Sequence, residues 1–315
     1  ARRILINLCK FEKLEDLNIS NFNWKDFFTS ELSFKVEVEN LKGNTNRLEM
    51  AKKVAGKIYT YLEKLKISPK IDLKRPDLLI VVYFTGKEYY LGIDFSGIET
   101  NAREYRLFTN SSSFKGDYAY HFVRISGFKP TEKLLVAYMK DGTIAIEAGL
   151  FASGKKIQSI KTNKYSFSKF PLFAGFDFNK FFATEFKAIS PDKDNKKNIF
   201  GFDENMRNVI ASKKNSVLAG VRDNLELSKY ALDELDVKFE ERFFDRLIFQ
   251  ITTKDEDKLN ELYYQSDYIL KPKGTLLLLT REKLEVSISS KFKLLKEEII
   301  LRGESKDKLW LLEKK

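Results

Sequence analysis

From residue 132 onward the chain repeats one pattern: an apolar run short enough to be a buried strand, a turn, then a helix-spaced segment. Lys133 to Tyr138 is an apolar strand, Asp141-Gly142-Thr143 a turn and Ile144 to Phe151 a helix. Asn198 to Asp203 reads as a strand and Glu204 to Gly220 as a helix, followed by strands at Leu225-Glu226-Leu227 and Phe244 to Phe249. Helix 256–269 leads through the turn Lys271-Pro272-Lys273-Gly274 into a leucine-rich strand at 275–280. Repeated βα units of this kind specify a parallel, doubly wound sheet. The last segments, 290–300 and 307–313, read as a hairpin around Arg302-Gly303 that adds an antiparallel edge.

A different rhythm precedes this. Glu31 to Val38 alternates apolar and charged residues as a half-buried strand does. Leu48, Ala51, Val54, Ala55, Ile58, Leu62 and Leu65 then recur at helical spacing until Ser68-Pro69 stops the helix. Asp77 to Phe84 and Tyr89 to Asp94 form two strands around a Gly86-Lys87 turn, closing a compact α/β module near Arg106. A length of 315 residues exceeds what one core usually supports, so two domains are expected. With 27 Phe and 14 Tyr the chain has the apolar area to fold them.

The net charge of +11 points to a polyanionic partner, and it is concentrated. Residues 47–75 carry nine basic groups against three acidic ones, and residues 154–198 ten lysines against four acids. Lysines often merely solvate a helix face. Two dense patches on an otherwise balanced chain fit a phosphate-backbone surface better, because neutralising phosphates releases counterions. His121 and Cys9 are the only histidine and cysteine, which speaks against a zinc site, a disulfide or serine-histidine chemistry. His121 reads as a packed or capping histidine, and Cys9 as a small core hydrophobe whose single thiol suits a reducing cytoplasm. No apolar run reaches bilayer length, and the start at Ala1-Arg2-Arg3 on a strand suggests that residues upstream have been removed.

In doubly wound sheets a ligand binds at the carboxyl ends of the strands where strand order reverses. After the first strand a glycine-rich turn is expected, and Lys140-Asp141-Gly142-Thr143 offers one glycine. After the second, Gly201-Phe202-Asp203 places Asp203 before a helix, where it can serve a ribose or equally cap the helix.

These residues carry a family resemblance. The segment through Ser33-Phe34-Lys35-Val36, Asp72 to Asp77, Leu91 to Gly97 and Arg103-Glu104-Tyr105-Arg106 resembles a THUMP domain. Ala119 to Gly127, Gly142 to Ala148, Tyr165 to Pro171, Gly201-Phe202-Asp203, Ala219-Gly220-Val221 and Leu270 to Gly274 are similar, in order, to the class I methyltransferase half of the THUMP-containing guanine-N2 methyltransferases of tRNA and rRNA. The resemblance implies an α/β fold: a THUMP-type α/β RNA-binding domain followed by a Rossmann-like class I methyltransferase domain with a mostly parallel seven-stranded sheet and an antiparallel C-terminal hairpin. It implies domains at 1–30 (a remnant of an N-terminal ferredoxin-like region), 31–106 (THUMP) and 107–315 (methyltransferase). It further implies S-adenosylmethionine as cofactor, held by Gly142, Thr143 and Asp203, and tRNA, gripped at its acceptor end, as partner. Lys52, Lys53, Lys57, Lys74, Arg75, Arg103, Arg106, Lys155 and Lys156 are the expected RNA contacts.

The chain departs from the family where the chemistry sits. The family's first loop, Asp-Pro-x-Cys-Gly-Ser-Gly-Thr, is here Val136 to Thr143 and retains only the final Gly-Thr. The family's Asn-Pro-Pro-Tyr, whose Asn and proline carbonyl accept the guanine amine while the ring stacks on the flipped base, is here Gln250-Ile251-Thr252-Thr253. Gln250 keeps an amide oxygen on a longer arm, without the fixed φ angles of the prolines. The adenine-contacting Gly-Asp-Ala becomes Tyr230-Ala231-Leu232, with Asp233 as a substitute carboxylate two residues on. The expectation is a tRNA-binding family member with an impaired site, acting as an RNA-binding subunit or beside an active methyltransferase subunit. The competing expectations are a working guanine-N2 methyltransferase using Asp203 and Gln250, and a purely structural subunit. The Phe-rich run 167–186 has the spacing of a packed segment rather than of base-stacking rings.

Overall fold

A computed structural model describes residues 2–155, 165–185, 197–251, 255–302 and 305–315. The elements in chain order are β1 (Leu5–Phe11), β2 (Ser33–Glu39), α1 (Asn44–Lys64), β3 (Lys70–Ile71), β4 (Leu78–Phe84), β5 (Tyr89–Asp94), α2 (Gly116–Ile125), β6 (Leu134–Ala137), α3 (Thr143–Ala152), α4 (Phe178–Glu185), β7 (Ile199–Phe202), α5 (Met206–Leu218), β8 (Leu225–Ser228), α6 (Leu235–Lys238), β9 (Phe244–Gln250), α7 (Glu256–Ile269), β10 (Leu270–Arg281), β11 (Phe292–Arg302) and β12 (Ser305–Lys314).

Two compact units result. The first joins residues up to Asn101 with the described part of 160–187; the second holds residues from Ala102 through the methyltransferase-like remainder. These limits differ from boundaries at 30 and 106. Residues 1–30 join the first sheet through β1, which pairs antiparallel with β5, and they bury Trp24, Phe27 and Phe28 in the same core as Phe34 and Ile80. The segment 165–182 enters that core too, through Phe167 and Phe170.

The first unit is a five-stranded sheet in the order β1-β5-β4-β2-β3, with β2 parallel to both β3 and β4. Helix α1 buries Val54, Ile58 and Leu62, the i, i+4, i+8 stripe of its apolar face. It stops before Ser68-Pro69 because Lys66 takes a left-handed φ of 62°. The N–H groups of Lys66 and Ile67 then reach back to the carbonyls of Glu63 and Leu62, closing the end as glycine usually does.

The second unit is a seven-stranded sheet in the order β11-β12-β10-β9-β6-β7-β8. Strands β6 to β10 are mutually parallel, and β12 is antiparallel to both β10 and β11. From β6 the chain moves outward through β7 to β8, then returns to the other side of β6 as β9, so strand order reverses between β6 and β9. Each face of the sheet is covered: Val136, Ile248 and Leu277 look toward α2 and α3, while Leu135, Leu247 and Leu278 look toward α7. The Lys271–Gly274 stretch, expected as a turn, lies within β10. Its extra residues are absorbed as an irregularity in the pairing with β9 between Leu270 and Thr275, where Lys273 takes φ 60°.

Candidate cofactor and RNA sites

The loop leaving β6 places Tyr138, Lys140 and Gly142 at φ 51°, 56° and 81°. Left-handed backbone at Tyr and Lys costs about 1–2 kcal/mol per residue. Local bonds hold it: Met139 N–H donates to the Phe202 carbonyl at 3.1 Å and Gly142 N–H to the Met139 carbonyl at 2.8 Å. Asp203, at the end of β7, completes the restraint. Its Oδ2 accepts the Lys140 N–H at 3.0 Å, and its Oδ1 accepts the Asn205 N–H at 3.0 Å and the Asn208 side-chain amide at 2.9 Å. With three donors on a carboxylate only 4% exposed, Asp203 ties the first loop to the start of α5. The helix cap itself is Asn205, whose side chain accepts from the Arg207 N–H.

Gly142 and Thr143 are buried within the loop. A Cβ on Gly142 would lie 2.8 Å from the Ser212 Cβ, so this glycine permits the close approach of α5. Thr143 Oγ1 donates to Asp141 Oδ1 at 2.6 Å. Asp141 is itself fully buried and accepts from Arg106 Nε at 2.9 Å. One turn into α3, buried Glu147 accepts from Arg103 Nε at 2.6 Å, Arg103 Nη2 at 3.1 Å and the Tyr105 hydroxyl at 2.7 Å. Arg103 and Arg106, expected on phosphates, thus engage carboxylates with no exposed area. At 6% and 17% side-chain exposure their guanidiniums belong to the scaffold behind the loop. Sequence reasoning misses Glu147 and Asp141 as partners, because charges on an otherwise apolar helix start signal pairing without saying with what.

A cavity of about 660 Å³ opens at the reversal point of the sheet. Every strand end there contributes: Tyr138 and Lys140 after β6, Glu204 after β7, Leu232 and Asp233 after β8, and Gln250 and Ile251 at β9. The first turns of α7 supply Asp255, Asp257, Lys258 and Glu261. Among the described residues, five carboxylates against two lysines give this space a negative lining. Asp233, the substitute carboxylate, reaches it. Tyr230 does not fill it; its ring stacks on Phe202 with centroids 4.9 Å apart and is nearly buried. Burial, followed by Glu204, Asp203 and Asp233, pushes the Tyr138 hydroxyl up to about 12, so it stays neutral in any ordinary buffer. The Gln250 side-chain amide makes a long 3.5 Å contact to the Ser112 carbonyl. Thr252 and Thr253 lie outside the described residues. The sequence does not mark Glu204 or the α7 acids as site residues, although a position directly after a strand end is a signal for Glu204.

In the first unit Lys52, Lys53 and Lys57 share the solvent face of α1. Lys53 pairs with Glu49 at 2.7 Å, and Lys57 donates to the Leu14 carbonyl. Lys74 and Arg75 are exposed on the loop between β3 and β4, their N–H groups held by Asp72 Oδ1 at 2.8 and 3.0 Å. In the second unit Lys155 bonds the Gly220 carbonyl. Lys156, Lys161 and Lys164 lie outside the described residues. His121 sits half-exposed on α2 with Nε2 3.8 Å from Glu298, and Cys9 packs at the edge of the first core. Among the described residues no group of His, Cys, Asp and Glu is arranged to hold a metal ion, and no helix is long and apolar enough to cross a membrane.

A mostly parallel seven-stranded sheet that reverses beside its first strand and ends in an antiparallel hairpin, with a cavity at the reversal, is a doubly wound Rossmann-like fold. The chain belongs to the family described as RMKL-like, methyltransferase domain, which matches residues 103–292, and a THUMP domain matches residues 10–94. It is 27% identical over 234 residues to the tRNA (guanine(6)-N2)-methyltransferase of Methanocaldococcus jannaschii, covering 72% of this chain and 60% of that enzyme. It is 24% identical over 247 residues to the ribosomal RNA large subunit methyltransferase K/L of Photobacterium profundum, covering 75% of this chain and 34% of the relative. The chain thus spans less than two thirds of the length of these relatives. In fold it is similar to TrmN from Thermus thermophilus, with TM-score 0.65 and 17% identity over 100% of this chain and 84% of that one. It is likewise similar to SMU.472, solved in complex with SAH, with TM-score 0.71 and 18% identity over 98% and 83%.

Proposed function

We propose that this protein is a tRNA-binding member of the THUMP methyltransferase family whose methyl-transfer site is impaired, so that it works as an RNA-binding or partner subunit in tRNA modification. One observation carries the reading: two side chains expected to serve the cofactor, Asp203 and Thr143, are engaged inside the protein. Asp203 holds the Lys140 N–H and Thr143 is buried on Asp141, while Gln250 lines the cavity with a long 3.5 Å contact to Ser112 and without the flanking prolines and ring of the family motif. Asn-Pro-Pro-Tyr chemistry needs a fixed amide oxygen and a stacking ring, and pre-organised geometry of that kind accounts for several kcal/mol of a transfer barrier.

The cavity fits an S-adenosyl group at its nucleoside end. Its volume suits a ligand of that size, Glu204 and Asp233 offer carboxylates for hydroxyl and amine hydrogens, and the negative lining suits a sulfonium. When bound, S-adenosylmethionine supplies an electrophilic methyl group. Glu204, Asp233 and Leu232 are the residues to hold the nucleoside. The reading is tested by incubating the full chain with labelled S-adenosylmethionine and tRNA. Retained tRNA with no label transferred is the expected result, and transfer by the isolated protein refutes it.

The open cavity favours a second reading, an active guanine-N2 methyltransferase in which Glu204 replaces Asp203 and Gln250 takes the amine. Transfer abolished by Gln250→Ala at unchanged RNA affinity would establish it.

A further inference from the structure

We infer that the cavity at the reversal point selects its ligand by charge, taking an adenosyl sulfonium whose tail ends in an amine without a carboxylate in preference to S-adenosylmethionine itself. The inference rests on the reading of this cavity as an S-adenosyl site, with the nucleoside at Glu204, Asp233 and Leu232, and it concerns the rest of the lining. In a doubly wound sheet an anionic ligand group is ordinarily met by backbone N–H groups where a helix follows a strand end. Helices α3, α5 and α7 begin at such ends here. In each, groups of the protein already occupy N–H donors of the first turn.

The turn into α3 shows this most fully. Met139 N–H donates to the Phe202 carbonyl at 3.1 Å, Lys140 N–H to Asp203 Oδ2 at 3.0 Å and Gly142 N–H to the Met139 carbonyl at 2.8 Å. Asp141 N–H goes to Ser113 Oγ and Thr143 N–H to Asp141 Oδ1, both at 3.3 Å. Every N–H from Met139 to Thr143 is thereby consumed. At α5, Asn205 Oδ1 accepts the Arg207 N–H at 2.9 Å. At α7, Asp255 Oδ1 accepts the Asp257 and Lys258 N–H groups at 3.1 and 3.4 Å, and Glu256 and Asp257 add negative charge to that first turn. A ligand carboxylate therefore meets capped helix starts and five acidic side chains, with Lys140 and Lys258 as the cations of the lining among the described residues. An ammonium in its place is attracted by the lining as a whole. Ile251 and Leu259 supply apolar surface for the alkyl tail that carries it.

Isothermal titration calorimetry of the full chain tests this with S-adenosylmethionine, its decarboxylated form, S-adenosylhomocysteine and methylthioadenosine. The decarboxylated sulfonium carries one positive charge more than S-adenosylmethionine and should bind about tenfold more tightly at low salt, with S-adenosylhomocysteine weaker than either. Raised salt should narrow that gap. Asp255→Asn/Asp257→Asn keeps a capping oxygen at the start of α7. This pair should remove most of the gap and leave the affinity for uncharged methylthioadenosine unchanged. S-adenosylmethionine bound as tightly as its decarboxylated form, or weakened severalfold by Lys140→Ala, shows that a cation answers the carboxylate and overturns this inference alone, with the adenosyl site intact. Loss of methylthioadenosine binding in the asparagine pair assigns the α7 acids to the nucleoside and also overturns it. No binding of any of these ligands overturns the adenosyl reading of the cavity as well. The ligand series on the unsubstituted chain decides the matter without any variant.

Discussion

Arg103 offers a sharp test of whether Arg103 and Arg106 belong to the scaffold or to the RNA surface. Replacing it with Met keeps most of the apolar stem and removes the guanidinium. Glu147, with no exposed area, then keeps the Tyr105 hydroxyl, among the described residues, and loses two guanidinium bonds at 2.6 and 3.1 Å. Removing one partner of a buried pair costs about 3–5 kcal/mol, mostly because the remaining charge is left desolvated. For a unit of this size that lowers Tm by on the order of 10 °C. The assay is thermal or urea unfolding followed by circular dichroism, with tRNA affinity measured below the transition. Arg103→Met/Glu147→Met should recover much of the loss, since neither charge then remains buried alone. A loss below about 1 kcal/mol with a clear drop in tRNA affinity would refute the scaffold assignment and return Arg103 to the phosphate surface.

Asp203→Ala should destabilise the second unit by about 1–3 kcal/mol in urea unfolding, because three part-buried donors lose a charged acceptor. Asp77, held down to about 2 by Lys169 and Ser33 against the opposing effect of burial, should make the first unit lose stability as pH falls from about 4 toward 2. The sign follows from a folded-state carboxyl more acidic than its ordinary value: its stabilisation is complete above that value and vanishes on protonation. Acid titration of Asp77→Asn should lack that component. Lys52→Ala/Lys53→Ala/Lys57→Ala should lower tRNA affinity and reduce the slope of log K against log salt by roughly 0.7–0.9 for each phosphate no longer neutralised, read from filter binding at several salt concentrations.

The periodicities of 31–94 and 132–313 are enough to specify two α/β modules and the β/α order of the second, because burial of one face imposes a spacing of two or 3.6 residues whatever the surroundings. The same local rules mark the end of β6 and the end of β7 as the place for a ligand. They do not say what the side chains there would do. Whether Asp203 faces a ribose or the Lys140 N–H depends on how β6 and β7 sit side by side, and that neighbourhood exists only in the folded sheet. Arg103 and Arg106 look like surface charges because charge is what a sequence displays, whereas their pairing with Glu147 and Asp141 joins residues 44 and 35 apart. The Phe-rich run has the spacing of packing, which Phe167 and Phe170 do, yet composition alone could not assign it to the first core or show Phe176 and Phe181 turned outward. Local pattern fixes which residues must be buried, and only the folded neighbourhood decides against what they are buried and which charges remain for a ligand.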